Sequence, residues 1–484
     1  MRFDPQNIIL KKIGNAADES GFRIFVVGGY VRDLILGVID NDIDIMVLGD
    51  GIQFAELIAE KFKKPLDAVY KNFATALLNI DGYKIEFASA RKESYHRSSR
   101  KPEVETAGLN EDLSRRDFTI NALALGLNED NYGILTDNFN GYRDIQDKII
   151  RTPLDPLKTF DDDPLRIMRA VRFASRLNFK IDDRAFDAIK KMKDRLTEDK
   201  VVSQERITNE FLQILMTDKP SYGLDLLFKS GVMDTIFPEL SALAGVEQRK
   251  EYHHKDVFYH TLIVVDNICM KTENLWLRFA ALVHDIAKPR TKKFIEGTGW
   301  TFHGHEELGA RMMKKIFIRM RLPINKLEYV EKLVRMHLRP IPLAKDDVTD
   351  SAFRRLAAEA GNELEDLLIL CRADITSKNP DKVSRFMNNY VLVEKKIIEV
   401  QEKDELRNFQ SPVRGNEIME ICGLKEGREV GIIKSKIEEA ILDGEIKNDY
   451  EKAKKYLLDI KDELLSSIMI NKSKPPRLKK SAGS

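Results

Sequence analysis

The stretch FVVGGYVRDLILGVIDNDIDIMV, residues 25–47, decides how the first part of the chain folds. Its apolar run ends in Gly28 and Gly29, which reads as a buried strand handing over to a helix through a turn. Two residues without Cβ let the backbone approach a ligand closely, and helix N-terminal amides favour a phosphate. Arg32, about one helical turn further on, is placed for a charge-assisted contact to the same anion. Alone, a double-glycine turn near an arginine is more often a plain tight turn. The residues after it alter that reading. Asp42 and Asp44 alternate with Ile43 and Ile45 at strand period, so both carboxylates share one face while the isoleucines enter the core. Neighbouring carboxylates repel unless a cation sits between them, and Mg²⁺, a hard ion preferring oxygen, is suited to the place. Such an ion lowers the pKa of an attacking hydroxyl and holds a triphosphate leaving group.

Outward from this stretch, a second strand pair reads from ALLNI and YKIEFAS (76–89), with QFAELIAEKFKK (53–64) as a helix. Glu86, in YKIEFAS, is a candidate third carboxylate or simply a solvated strand residue. In EDLSRRDFTINALAL (111–125), Arg115, Arg116 and Asp117 are expected to begin an apolar helix, with Asn121 a turn later. Arginines conflict with the positive end of a helix dipole, and an anionic ligand would relieve the conflict. In FDDDPLRIMRAVRFASRL (160–177), Asp163 before Pro164 reads as a helix cap. Arg166, Arg169, Arg172 and Arg176 then recur at spacings of three, three and four and form one basic stripe. The stripe is either a solvated face or a nucleotide reader. Cytosine and adenine each pair a ring-nitrogen acceptor with an exocyclic amine donor, a pattern that an Arg with an Asp can match.

The motifs GGYVRDLILG with DNDID, EDLSRRDFTINALA, DDPLRIMRAVRFA and QERITNEF occur in this order over roughly residues 10–220. Together they resemble the class II (bacterial-type) tRNA nucleotidyltransferases, the CCA-adding enzymes and poly(A) polymerases of the polymerase-beta superfamily. The resemblance implies an α+β chain: a nucleotidyltransferase head of mixed sheet and helices, then an all-α neck, a metal domain and a C-terminal body. It implies that Gly28, Gly29 and Arg32 contact the triphosphate, that Asp42 and Asp44 bind Mg²⁺, and that Arg116 joins the nucleotide contacts. Asp163 and Arg166 would read the base edge, and Arg169 and Arg172 would hold the nucleotide. Arg206 and Glu210 match the last motif, which ties helices of the neck. Where the family often has Glu-Asp before Pro-Leu-Arg, this chain has Asp162-Asp163.

Seven of the eight histidines fall between His253 and His337. His260, His284, Asp285 and Asp374 make a four-ligand set for a borderline divalent metal, and His305 and His337 would serve a second ion. The segment resembles the HD phosphohydrolase superfamily, which implies phosphodiesterase or phosphatase activity. Nickel, manganese, iron and magnesium all suit these ligands. Residues 414–448 are similar to the RNA-binding body of the same bacterial enzymes, with Lys425, Arg428 and Lys434 beside a glycine turn. Binding through such contacts weakens steeply with salt.

Composition sets the outer limits. The chain has 484 residues, of which 43% are hydrophobic and 32% charged, enough for several cores. A net charge of +1 names no partner, so any polyanion site requires segregated charge. Cys269, Cys371 and Cys422 are too far apart for a disulfide scaffold or a cysteine-rich zinc site. No apolar run approaches the roughly 20 residues of a membrane span, and MRFDPQNIIL is not a secretory signal. The expectations are a cytoplasmic enzyme acting on tRNA 3′ ends with CTP and ATP, and no membrane or obligate protein partner. The expected domains are a head (1–155), neck (156–240), HD domain (241–380), RNA-binding body (381–470) and disordered basic tail (471–484). The rivals sharing the same head are poly(A) polymerase and CC- or A-adding enzymes, and a metal phosphohydrolase with a nucleotide-sensing head is more remote.

Overall fold

The computed structural model describes residues 1–5, 7–38, 40–96, 99–246, 256–344, 348–376, 379–408, 411–442 and 445–472. His253, His254 and the basic tail from Ser473 onward lie outside the described residues. Two compact units emerge, one of residues 1–346 with 356–391 and one of 347–355 with 392–484. No described helix is long and apolar enough to cross a membrane.

In the first unit, the strand residues read from the sequence form a seven-stranded mixed sheet. Its members are β1 (Arg23–Val27), β2 (Asp42–Leu48), β3 (Ala68–Tyr70), β4 (Thr75–Ile80), β5 (Tyr83–Ser89), β6 (Ala124–Gly126) and β7 (Leu135–Thr136). The spatial order is β3-β4-β5-β2-β1-β6-β7. β2 runs antiparallel to β1 and parallel to β5, and β4 and β5 form the expected hairpin. Ile43 and Ile45 are fully buried while Asp42 and Asp44 face outward, as the period-two pattern requires. The helix Gly51–Phe62 covers the buried face through Phe54, whose ring meets Phe87 edge-on at 5.7 Å. Each fully buried aromatic or branched side chain of this kind contributes roughly 1.5–3 kcal/mol relative to exposure.

From Pro156 onward the chain is mainly helical. The helix Leu165–Leu177, which carries the arginine stripe, packs on Gln204–Leu215 and Pro220–Lys229. Asp163 behaves as the cap foreseen, accepting from the Leu165 amide at 3.1 Å. Lys180–Ile181 pairs in parallel with Ile149–Ile150 from just before this region, and Lys293–Ile295 pairs antiparallel with Gly299–Thr301. Five further helices, Val257–Cys269, Leu275–Val283, His305–Arg319, Leu327–Met336 and Leu364–Ala373, carry or border the histidines. The second unit packs Gly415–Cys422, Arg428–Leu442 and Tyr450–Lys472 around Val413, Ile418, Ile433, Ile437 and Leu457.

Candidate active-site cleft and metal centre

A cleft of about 740 Å³ opens where β1, β2 and the arginine helix meet. Gly28, Gly29, Arg32, Asp42, Asp44, Arg116, Asp163, Arg166, Arg169 and Arg172, all singled out from sequence, line it. Gly28 adopts φ +73°, and a Cβ there would lie 3.0 Å from Arg116 Nη1 and 3.5 Å from Asp44 Oδ2. The glycine therefore lets a guanidinium and a carboxylate close over the turn. Glu86 stands directly across from Asp44 on β5 and Lys84 across from Asp42, with the Lys84 ammonium 3.2 Å from Asp42 Oδ1. Glu86 is not part of the cleft lining. Desolvation on the cleft floor raises the pKa of Asp44, Arg116 opposes it, and Glu86 and Asp42 add to it, leaving the carboxyl at about 6. A carboxylate held against two others in this way calls for a cation.

One sequence expectation fails. Arg115 and Arg116 do not begin a helix: the helix Leu109–Ser114 ends there, Thr119–Asn121 is a single 3₁₀ turn, and Ala124–Gly126 is strand β6. The arginines sit at the negative end of a helix, which suits cations, so the dipole conflict does not exist. Asp112, 1% exposed, holds both: Arg115 Nη2 donates to its Oδ1 at 2.6 Å and Arg116 Nη2 to its Oδ2 at 3.0 Å. Burial would raise the Asp117 pKa, but Arg169, with Asn121 and Arg166, pulls it down to about 2. Arg169 Nη2 donates to Asp117 Oδ2 at 2.6 Å, and Arg172 Nε donates to Glu210 Oε2 at 2.5 Å. Arg32 donates to Asp33 through Nε and Nη2 and to Asn121 through Nη1. Arg166 Nη2 donates to the Arg115 carbonyl at 2.5 Å.

Sequence reading missed Phe173. The guanidinium carbons of Arg172, Arg32 and Arg169 lie 4.4, 5.2 and 5.4 Å from its ring centroid. The negative faces of one ring thus take up part of the repulsion among three cations drawn from two segments.

The histidine cluster is buried and its ligands sit mostly at helix ends. His284 follows Leu275–Val283, His305 opens its helix, and His337 and Asp374 each follow the last residue of one. The Nδ1 atoms of His284, His305 and His337 meet the carbonyls of Ala281, Phe302 and Val334 at 2.6–2.7 Å. A carbonyl can only accept, so each Nδ1 carries the proton and each Nε2 turns inward. His260 Nδ1 lies 2.9 Å from Thr376 Oγ1, a second residue that the sequence did not point to.

Asp285 is shared. Its Oδ2 lies 3.2 Å from His284 Nε2 and 3.6 Å from His260 Nε2, and its Oδ1 lies 3.2 Å from His305 Nε2 and 4.0 Å from His337 Nε2. Asp374 Oδ1 approaches His260 Nε2 at 2.9 Å. His284 Nε2 is buried and, although Asp285 Oδ2 lies 3.2 Å away, makes no well-aligned hydrogen bond, so a metal held between the two would satisfy it. Burial alone would depress the His284 pKa, but Asp285 and Asp374 drive it up to about 10. Burial, then His284, hold His337 down at about 4. Among the described residues, the trios whose donor atoms lie within 4.8 Å are His260–His284–Asp285 and Asp285–His305–His337; Asp42, Asp44 and Glu86 do not form one.

Known proteins share both sites' domains. The Poly A polymerase head domain family matches residues 24–151, the family described as a probable RNA and SrmB-binding site of polymerase A matches 178–243, and the HD domain family matches 257–379. The A-adding tRNA nucleotidyltransferase of Aquifex aeolicus (strain VF5) is 38% identical over 57% of this chain, which spans only 32% of that relative. The multifunctional CCA protein of Shewanella frigidimarina (strain NCIMB 400) is 34% identical, covering 62% of this chain and 70% of the relative. A solved tRNA nucleotidyltransferase, complexed with a primer tRNA and an incoming ATP analog, is similar with TM-score 0.58 at 27% identity, covering 80% of this chain and 99% of that one.

Proposed function

We propose a function from one premise: this chain belongs to the tRNA nucleotidyltransferase family of the multifunctional CCA proteins. It adds C, C and A to the 3′ ends of tRNA from CTP and ATP without a nucleic-acid template, in the cytoplasm. The observation that carries this reading is the one cleft that Asp42 and Asp44 line together with Arg116, Arg166, Arg169 and Arg172. That arrangement suits in-line attack of the tRNA 3′-hydroxyl on the α-phosphorus of CTP or ATP beside two carboxylates, breaking the α–β phosphoanhydride bond and releasing pyrophosphate.

Nucleotidyltransferase and HD domains both use divalent metals. Asp42 and Asp44, with Glu86 beside them, would hold Mg²⁺, which screens the triphosphate and eases ionisation of the tRNA 3′-hydroxyl. The protein's own groups do the rest. The glycine turn admits the phosphates, and Arg116, held by Asp112, lies against it. Arg169 and Arg172 hold the nucleotide in a geometry fixed by Asp117 and Glu210. Asp163 accepts from the exocyclic amine of C or A while Arg166 donates to the ring nitrogen. Residues 1–155 act as head, 156–240 as neck, 241–380 as HD domain and 381–470 as RNA-binding body.

The histidine centre gives a second activity in the same chain, hydrolysis of phosphoesters, with nickel, manganese, iron or magnesium held by His260, His284, Asp285, Asp374, His305 and His337. The inward Nε2 of His284, with the carboxylates of Asp285 and Asp374 close to it but not well aligned as hydrogen-bond partners, favours it. A second reading of the cleft, A addition alone, is favoured by the higher identity to the A-adding relatives, of which this chain spans about a third.

Primer extension on tRNA ending at the discriminator nucleotide tests these readings. Two additions with CTP alone and three with both nucleotides establish CCA synthesis. Extension only of tRNA already ending in CC, and only with ATP, would replace it by A addition, and a ladder of A by poly(A) synthesis.

A further inference from the structure

The chain between two ligands of the histidine centre, Asp285 and His305, is KPRTKKFIEGTGWTF (288–302). It holds Lys288, Arg290, Lys292 and Lys293 against one acid, Glu296. Its middle is the ribbon Lys293–Ile295 with Gly299–Thr301, in which Phe294 pairs directly with Trp300. Directly paired residues project from the same face of a ribbon, so both rings stand together, T-shaped at 5.2 Å. Lys292 joins them, its ammonium 4.4 Å from the Trp300 ring centroid. The pair is not core: Phe294 is 56% exposed. At its base the segment returns to the centre, where Lys288 donates to Asp285 Oδ2 at 2.6 Å and lies 5.6 Å over the Phe302 ring.

A cross-strand aromatic pair stiffens an isolated ribbon, which two strands alone scarcely stabilise. That accounts for the rings touching one another. It does not account for an exposed aromatic face edged by an excess of cations and strung between two ligands of a phosphoester centre. Aromatic faces with flanking cations are what single-stranded nucleic acid requires: rings stack on bases of any identity and cations meet the phosphates. We propose that the 293–301 ribbon is a stacking platform for single-stranded RNA, holding a strand so that one of its phosphodiesters reaches the histidine–aspartate centre. Its biological sense rests on the reading of that centre as a phosphohydrolase; the stacking itself does not.

Trp300 is one of only two tryptophans, so W276F leaves it as the sole indole reporter on the platform. The variant is titrated with hexa-adenylate, with an abasic ribose-phosphate hexamer and with AMP. The expected result is saturable quenching of Trp300 by hexa-adenylate, about tenfold tighter than for the abasic hexamer and for AMP, and weakened by salt. Adding F294A is expected to weaken it about fivefold or more. Because Trp276 packs against Phe279 and Phe317, the same comparison is run on the unaltered chain and on F294A, using a hexamer containing 2-aminopurine. No quenching, equal affinity for the abasic hexamer, or AMP binding as tightly as the hexamer would overturn the platform. Hydrolysis of bis-p-nitrophenyl phosphate by the metal-loaded chain, which needs no base, is measured alongside. Failure there removes the phosphohydrolase reading and leaves the Trp300 result to judge the platform.

Discussion

In the cleft, Arg169 reaches 52 residues back to Asp117 and Arg172 reaches 38 residues forward to Glu210. In the histidine centre, three of the rings are fixed by carbonyls only three residues before them. Both places crowd ionisable groups together, and they do so by opposite means. The cleft is assembled from distant segments, and its cations are kept apart by carboxylates and by one aromatic ring. In the centre the ring orientations of His284, His305 and His337 are set by local helix ends, while packing of several helices brings these rings, His260, Asp285 and Asp374 together. In the cleft both the placing and the orienting of side chains depend on distant segments meeting correctly, whereas in the centre each carbonyl-held ring is oriented once its own helix forms and packing has only to bring the rings together. The two sites should therefore fail independently, and by different routes.

The harshest test of that independence is D44A. Removing a carboxylate that would hold Mg²⁺ is expected to lower nucleotide addition on the order of 10³-fold. Hydrolysis of bis-p-nitrophenyl phosphate by the same preparation should persist, and D285A should give the converse. Loss of both activities in either variant would mean that the sites are not separable.

Legibility in the sequence follows periodicity rather than site. The alternation of Asp42 and Asp44 with Ile43 and Ile45 was legible because period two forces a choice of face. The stripe Arg166–Arg169–Arg172 was legible because helical spacing stacks those residues. The segment after Arg116 misled, because TINALAL is a short apolar run that a helix and a 3₁₀ turn leading into strand β6 fit equally well. Phe173 and Thr376 left no mark: an apolar residue on a helix reads as core, and a lone threonine carries no periodicity. Asp112 could have been found, since it stands three and four residues before the arginines it grips.

The tertiary pairing in the cleft can be probed by pH. The Asp117 pKa is pulled down to about 2 from an ordinary value of 3.8. A depressed carboxyl pKa adds stability above the unfolded value and loses it as pH falls through the folded one. The contribution should be about 2 kcal/mol near neutrality and vanish between about pH 4 and pH 2. The stability gap between the wild type and D117N, followed by urea unfolding, should close over that window. A gap that does not change with pH would remove the ion pair from the account.

In the histidine centre the weak point is the ring that no carbonyl fixes. T376A is expected to loosen Mn²⁺ binding about tenfold in a chelator competition, because His260 loses the partner that orients it. T376S should restore the affinity. Equal affinity in all three proteins would show that helix packing alone sets the His260 ring.

The smallest effect should come from Phe173, where no bond is removed. Leucine keeps an apolar side chain and takes away the ring faces against which Arg32, Arg169 and Arg172 rest. A single partly buried cation–π contact contributes about 1 kcal/mol, so F173L is expected to raise KM for both CTP and ATP about fivefold. The rise should be the same for the two nucleotides, because the ring spaces cations and reads no base. F173Y, which retains the faces, should return KM to near the wild-type value with little change in Tm across the set. A rise for one nucleotide alone would make Phe173 a specificity residue. A fall in Tm that F173Y does not rescue would make it core, and the cleft would then keep its arginines apart by carboxylates only.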